Sequence, residues 1–294
     1  MDEQAVLADQ FEGYRDHLRA VAYRMLGSLG EADDAVQETW LRLSRTDTSD
    51  VENLGGWLTT VVSRVCLNML RSRRSRREDP LGVHVPDPIV SRVEAVDPED
   101  RALLTDSVAL ALLVVLETLG PAERVAFVLH DMFAVPFDDI ATIVGRSPTA
   151  TRQLASRARR RVQVEAPTPE PDLARQREAV DAFFAAAQAG DFDALVAVLD
   201  PEIVLRSDGG VLSPAATSVV HGADNVAKRA VAFAHPSRFV RPALINGVAG
   251  VVVVTDGKPF SIMAFTVKDG KIVAIDSLAD PDRLGQLDLS ALDA

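Results

Sequence analysis

The 294-residue chain carries 31 Lys and Arg against 43 Asp and Glu, a formal net charge of −12 at pH 7, and 47% of its residues are hydrophobic. That apolar content excludes global disorder, and the length predicts two or three domains. A single cysteine, Cys66, excludes a disulfide framework or a cysteine-based zinc site within one chain, and the longest apolar run (108–116) is too short to span a bilayer. The opening MDEQAVLADQFEG is acidic and lacks the basic and apolar regions of a signal peptide, so a soluble, cytoplasmic protein is expected, with no metal or cofactor.

In chain order, residues 11–77 read as helical. Tyr14, Leu18, Val21, Ala22 and Met25 recur at helical spacing, and Gly27 with Gly30 marks a stop. EADDAVQETWLRLSR is a second helix with Ala35, Val36, Trp40 and Leu43 on one side. NLGGWLTTVVSRVCLNMLRSRR is a third, with an expected apolar stripe of Trp57, Val61, Val65 and Met69. Residues 78–98 hold four prolines and no sustained periodicity, which predicts a linker. Helices resume from 99 to 162, and the Pro-rich QVEAPTPEPDL (163–173) reads as a second linker. Beyond it come two helices parted by Gly190, a short strand and turn in EIVLRSDGG, and a helix in GADNVAKRAVAFA. Four strand-like runs then follow, separated by Asn-Gly and Asp-Gly turn signals, and they predict an antiparallel meander in an α+β domain.

Both halves of the chain are acidic: residues 1–163 hold 20 Arg and no Lys against 25 Asp and Glu. Bulk charge therefore does not predict a nucleic-acid binder, but local clustering does. RSRRSRR (71–77) and RQLASRARRR (152–161) each contain five arginines, a side chain suited to phosphate and guanine contacts. The alternative is a pair of solvated helix ends, since cations favour helix C-termini.

The second cluster ends a recognisable unit. A short helix with Ile140, Ile143 and Val144 inward leads through the turn Gly145-Arg146-Ser147 into a helix started by Pro148, with Ser147 as its N-cap. Burial of Thr151, Leu154, Ala158 and Val162 would leave Thr149, Arg152, Gln153, Ser156, Arg157 and Arg160 on one polar face. This is the layout of a helix-turn-helix that sets its second helix in the major groove. Arg152, Gln153 and Arg157 are placed to read bases, and Arg159, Arg160 and Arg161 to hold phosphates. Helix pairs with this turn also occur as plain structural hairpins.

LGPAERVAFVLHDMFAVPFDDIATIVGRSPTATRQLASRARRRV resembles region 4 of extracytoplasmic-function sigma factors, which reads the promoter −35 element. DHLRAVAYRMLGSLGEADDAVQETWLRL and GGWLTTVVSRVCLNMLRSRR resemble region 2, which binds core RNA polymerase and melts the −10 element. The resemblance implies polymerase binding by Asp33, Asp34, Gln37 and Glu38, with the β′ clamp and β flap as partner surfaces. It also implies −10 contacts by Trp57, Arg64, Asn68, Arg71, Arg73 and Arg74, where single-stranded bases offer faces for stacking and phosphates for Arg. Trp57 also opens an apolar stripe, a position more often core than stacking platform. Two departures stand out: Arg64 replaces an asparagine common in the family, and Leu154 stands where many relatives have Arg.

The remaining 130 or so residues resemble the SnoaL-like, NTF2-like domain fused to a subgroup of these sigma factors. RSDGG (206–210), the ING turn (245–247) and AFTVKDGKIVAIDSLADPDRL carry the likeness, although Val211 interrupts the expected glycine run. In that subgroup a Pro-rich motif between regions 2 and 4 is linked to regulation, and VPDPIV (85–90) corresponds to it. Pro86, Asp87, Pro88, Asp208, Gly209, Gly210, Asn246 and Gly247 are therefore candidate regulatory residues.

The organisation expected is region 2 at 1–77, a linker at 78–100, region 4 at 101–163, a linker at 164–172 and the NTF2-like cone at 173–294. The fold class is thus two all-α sigma domains followed by an α+β cone. The function expected is promoter-specific transcription initiation, with promoter DNA and core polymerase as partners and self-regulation by the C-terminal domain. A separate anti-sigma partner is left open. Two other classes compete: a helix-turn-helix regulator with a ligand-sensing domain, and an NTF2-like enzyme. For the last, Asp208, His221, Asp276 and Arg206 are the candidates, but Asp208 reads as a turn residue, His221 as a loop residue, and no poised base is identifiable.

Overall fold

The computed structural model describes residues 3–47, 51–76, 83–92, 108–210, 216–234 and 238–290. The chain divides into two compact units, Met1–Asp79 with Val115–Glu165, and Pro80–Val114 with Ala166–Ala294. The Pro-rich segment, expected as a linker, is thus grouped with the C-terminal unit.

The first unit is all helical. It contains α1 (Glu3–Glu12), α2 (Arg15–Leu26), α3 (Leu29–Leu43) and α4 (Leu54–Arg76), then α6 (Pro121–Phe127), a π-helical turn at Val128–Met132, α7 (Phe137–Val144) and α8 (Pro148–Glu165). Helix α5 (Leu110–Glu117) falls across the sequence boundary between the units and has Leu110, Leu113 and Leu116 fully buried. Gly27 closes α2 in the left-handed region at φ 72°, and Ser28 caps α3 by accepting from the Glu31 N–H. The stripe expected on α4 is displaced. Leu58, Val61, Val62, Val65, Cys66, Leu67 and Leu70 are buried, whereas Trp57 and Met69 are only half-buried. Helix α4 packs against α2, α3, α6 and α7, so its apolar surface is broader than one seam and excludes its first aromatic. Burial pushes the Cys66 thiol up to about 12, which leaves it an inert core residue.

The second unit is α+β. Helices α9 (Leu173–Ala189) and α10 (Phe192–Val198) precede β2 (Leu199–Asp208) and β3 (Ser218–His221). Helix α11 (Ala223–Phe233), strands β4 (Arg238–Ile245), β5 (Val248–Thr255), β6 (Lys258–Lys268) and β7 (Lys271–Leu278), and a short α12 (Pro281–Leu284) complete it. The meander β4–β7 is present, and its turns put Asn246-Gly247, Asp256-Gly257 and Asp269-Gly270 all at positive φ, as tight hairpins require. The sheet is nevertheless mixed. Its order is β1-β4-β5-β6-β7-β2-β3, with β2 parallel to β7, and β1 (Val90–Ser91) comes from the Pro-rich segment.

One face of this sheet is covered by α9, α10 and α11. Phe183, Phe184 and Phe265 pack mutually edge-on at 5.3 to 5.8 Å beside Leu195, Ile203, Val251 and Ile275. Burial of Phe183 and Phe265, the two that are fully enclosed, contributes roughly 1.5–3 kcal/mol each. Helix α9 is bounded by an Asp172 cap and by Gly190 at φ 68°.

Candidate functional sites

The helix-turn-helix forms as its sequence dictates. Ile140, Ala141, Ile143 and Val144 are buried, Gly145 takes φ 69°, and the Ser147 hydroxyl accepts from the Ala150 N–H at 3.3 Å. On α8 the buried positions are Thr151, Ala155 and Ala158, with Leu154 and Val162 half-buried. Thr151, Ala155 and Ala158 share the inward stripe at steps of four and then three residues, and Leu154 lies at its edge. Thr149, Arg152, Gln153, Ser156, Arg157 and Arg160 are all exposed. Their surroundings differ. Arg157 is paired with Glu123 at 2.9 Å, Arg159 with Asp131 at 2.7 Å, and Arg161 donates to the Thr118 carbonyl at 3.2 Å. Among the described residues no carboxylate pairs with Arg152 or Arg160. The Arg152 guanidinium lies 5.6 Å from the centre of the Phe137 ring, which steadies it without neutralising it.

On α3, Asp33 is held by Arg19 at 2.7 Å and Glu38 by Arg42 at 2.8 Å. Asp34 and Gln37 are exposed and have no partner among the described residues. Opposite them Ala35, Val36 and Thr39 are buried, and half-buried Trp40 lies 5.2 Å from Phe11.

On α4, Arg64 and Asn68 are exposed one turn apart, with Arg71 and Arg74 further along. Two of this cluster's arginines serve the fold. Arg73 pairs with Glu31 and donates to the Leu26 carbonyl at 3.2 Å, and Arg71 donates to the Val144 carbonyl at 3.4 Å. Arg77 lies outside the described residues. A further arginine, Arg124 on α6, is buried and donates to the Met25 carbonyl at 2.9 Å, with burial pushing it down to about 10.

The Pro-rich segment meets the second unit in a charged cluster. Val85, Pro86, Asp87 and Pro88 are buried. Arg283, on α12, donates from Nε to Asp87 at 2.9 Å, from Nη1 to Asp208 at 2.8 Å and from Nη2 to the Val85 carbonyl at 2.6 Å. The Val85 N–H donates to Asp208 at 2.9 Å, and His84 Nδ1 lies 3.3 Å from the same carboxylate. Burial would raise the Asp208 carboxyl, but the bonds from His84, Val85 and Gly210 together with the Arg283 charge outweigh it and hold the group down at about 2. Asn246 grips the segment further on. Its Oδ1 accepts from the Ile89 N–H at 2.9 Å, its backbone N–H donates to the Ile89 carbonyl at 2.8 Å, and its Nδ2 donates to the Val108 carbonyl at 3.2 Å. Gly210 is required here: it sits at φ 67°, and a Cβ would fall 2.0 Å from the Asp280 carboxylate that caps α12.

Of the expected regulatory residues, Pro86, Asp87, Pro88, Asp208 and Asn246 are thus brought together at the segment. Gly209 donates to Thr217 at 3.0 Å, and Gly247 completes the hairpin turn at φ 76°. Arg283 and His84 were not singled out by sequence. The available signal was the lone Arg of ADPDRL, three residues after a helix-capping Asp.

Of the catalytic candidates, Arg206 and Asp276 are paired with each other, while Asp208 belongs to the charged cluster at the Pro-rich segment. Asp208 is the buried last residue of β2, not part of an exposed turn, and His221 ends strand β3 instead of lying in a loop. Asp208 is drawn into the strand by pairing with Leu278 of β7, and His221 by pairing with Val204 of β2. Asp276 is buried, raised by that burial against the pull of Arg206, which donates to it at 3.1 Å. On the helix-covered face of the sheet lies a separate cavity of about 150 Å³, and none of Asp208, His221, Asp276 or Arg206 lines it. Among the described residues there is no metal-binding cluster of His, Cys, Asp and Glu, and no helix is long and apolar enough to cross a membrane.

Residues 10–76 match the Sigma-70 region 2 family and residues 109–162 the Sigma-70, region 4 family. The chain is 40% identical over 290 residues to the ECF RNA polymerase sigma factor SigJ of Mycobacterium tuberculosis, covering 93% of this chain and 92% of that protein. It is 36% identical over 288 residues to the probable ECF RNA polymerase sigma factor SigI of the same species, covering 98% of each. The crystal structure of M. tuberculosis SigJ is similar at a TM-score of 0.76 and 37% identity, over 96% of this chain and 99% of that one.

Proposed function

The chain belongs to the extracytoplasmic-function family of RNA polymerase sigma factors, and from that premise we propose how its surfaces divide the work of transcription initiation. Asp34 and Gln37 on α3, exposed and unpartnered among the described residues, contact core polymerase, with Asp33 and Glu38 flanking them. Trp57, Arg64, Asn68 and Arg74 meet the −10 strand, and Arg71 and Arg73 act there chiefly by fixing α4. In the −35 groove Arg152 and Gln153 read base edges while Arg160 holds phosphate, with Thr149, Ser156 and Arg157 beside them. The observation that carries this reading is the exposed face of α8, with two arginines that have no carboxylate partner among the described residues of an otherwise acidic protein. Net negative charge disfavours DNA binding by the free chain, so polymerase supplies the affinity and α8 the register.

The C-terminal unit regulates and does not catalyse. The described lining of its cavity includes no carboxylate or imidazole to act as a base, which supports that reading. It holds the Pro-rich segment that joins regions 2 and 4, and thereby restrains how far the two DNA-reading regions separate. This built-in restraint makes self-regulation the primary control, and activity in the cytoplasm follows from the polymerase partner. In vitro transcription with core polymerase, on promoters selected from genomic fragments, tests the assignment. A promoter-dependent transcript that weakens with Arg152→Ala is expected; a chain that yields no promoter-dependent transcript overturns it.

A further inference from the structure

The cavity on the helix-covered face of the C-terminal sheet is apolar over most of its wall. Phe183 and Phe184 from α9, Phe233 from α11, and Phe260 and Met263 from β6 line it, and its volume of about 150 Å³ suits a single six-membered ring. Phe233 and Phe260 are 44% and 38% exposed, so the wall continues to an open mouth. An apolar void of this size, if it served packing alone, would be lined by hydrocarbon throughout. This one is not.

Ser207, Ser261 and Ser277 are each at least nine-tenths buried, line the cavity, and their hydroxyls have no hydrogen-bond partner among the described residues. Ser207 and Ser277 are register partners across the parallel pair β2·β7, and Ser261 lies two residues from Met263, the partner of Ser277 on β6. The three hydroxyls therefore form one patch on the sheet. These hydroxyls open into the cavity and are therefore available as hydrogen-bonding groups to a ligand that enters it. Arg229, half-buried on α11, also lines the cavity. Its guanidinium lies 4.9 Å from the centre of the Phe233 ring, and no carboxylate pairs with it among the described residues.

We propose that this cavity is a binding site for a small aromatic carboxylate, with its ring among the phenylalanines, hydroxyl donors from the serine patch, and Arg229 supplying the counter-charge. The proposal goes beyond promoter recognition and does not depend on it. The site adjoins the charged cluster through two strands. Successive side chains of a strand point to opposite faces. On β2, Ser207 lines the cavity while Asp208 receives Val85 and Arg283, and on β7 Ser277 lines it next to buried Asp276. Occupancy thus bears on the backbone that carries the Asp208 carboxylate.

The test uses the full-length chain with sodium benzoate, benzyl alcohol and benzylamine as probes, followed by ligand-observed NMR and amide chemical shifts. Benzoate binds in the millimolar range, roughly tenfold more tightly than benzylamine, and shifts the amides of Ser207 and Ser277. Arg229→Met removes the preference for benzoate over benzyl alcohol but keeps the alcohol bound. Ala230→Trp, which fills the cavity, abolishes binding of all three; should that variant misfold, Arg229→Met still decides the question. Absence of binding by all three probes, preference for benzylamine, or shifts confined to other surfaces overturns the proposal. Because binding is read on the free chain, a failed transcription assay leaves this result independent.

Discussion

Helices α4 and α8 both carry dense runs of arginine, yet the fold uses the two runs differently. On α4, Arg73 and Arg71 reach main-chain carbonyls of α2 and α7, and Arg73 also neutralises Glu31. On α8, Arg152 and Arg160 keep their charge toward solvent, while Arg157 and Arg159 lean on acidic residues of the same unit. Arginine density is therefore a poor measure of DNA contact. What separates one arginine from the next within each run is whether a carbonyl or carboxylate lies within reach once neighbouring helices are in place. Arg283 extends the lesson: isolated in sequence, it bonds two carboxylates, Asp87 and Asp208, and the Val85 carbonyl.

Breaking the structural arginines gives the largest effects. Arg124→Met, which removes the donor to the Met25 carbonyl, should cost about 1–3 kcal/mol in urea unfolding. The buried carbonyl is then left unpaired, although relief of the buried charge offsets part of the loss. Arg283→Met severs three sets of contacts at the Pro-rich segment and should make residues 83–92 susceptible to limited proteolysis while far-UV circular dichroism stays unchanged. Arg152→Ala inverts that pattern, with stability within about 0.5 kcal/mol. Its promoter-specific transcript should nonetheless fall roughly tenfold or more, and most steeply for one base position of the −35 element. An equal loss at every promoter would instead make Arg152 a phosphate contact.

Acid titration sharpens the role of Arg283 through its partner. The Asp208 carboxyl is lowered from its ordinary 3.8 to about 2 in the folded chain, so its stabilising contribution is complete above pH 3.8 and lost as the pH falls toward 2. The stability gap between the native chain and Asp208→Asn should stay constant from neutrality to about pH 4 and close below it. Smallest of all is Arg19→Ala. The exposed pair with Asp33 contributes about 0–1 kcal/mol, and its loss should leave polymerase binding by Asp34 and Gln37 unchanged in a pull-down.

Much of this molecule is legible from local chemistry alone. Gly27, Gly145 and Gly190 stop helices, Ser147 with Pro148 starts one, and Asn-Gly and Asp-Gly pairs turn hairpins, because each acts within a few residues of itself. The amphipathic pattern likewise puts Thr149, Arg152, Gln153 and Arg160 on one open face. Ala155 in place of Leu154 and the half-exposure of Trp57 are harder to see, since those depend on which neighbouring helix arrives.

The sequence by itself determined the helical and α+β halves, the helix-turn-helix and the acidic face of α3, all of them consequences of spacing along one segment. Tertiary structure alone decided that β2 runs parallel to β7, that a proline-rich stretch becomes an edge strand, and that Asp87, Asp208 and Arg283 converge. Those outcomes join positions separated by as many as 196 residues, and no local periodicity encodes a partner so far along the chain. It is the closing of the sheet, with serines on one side of β2 and β7 and carboxylates on the other, that turned separate stretches into a cavity and a clamp.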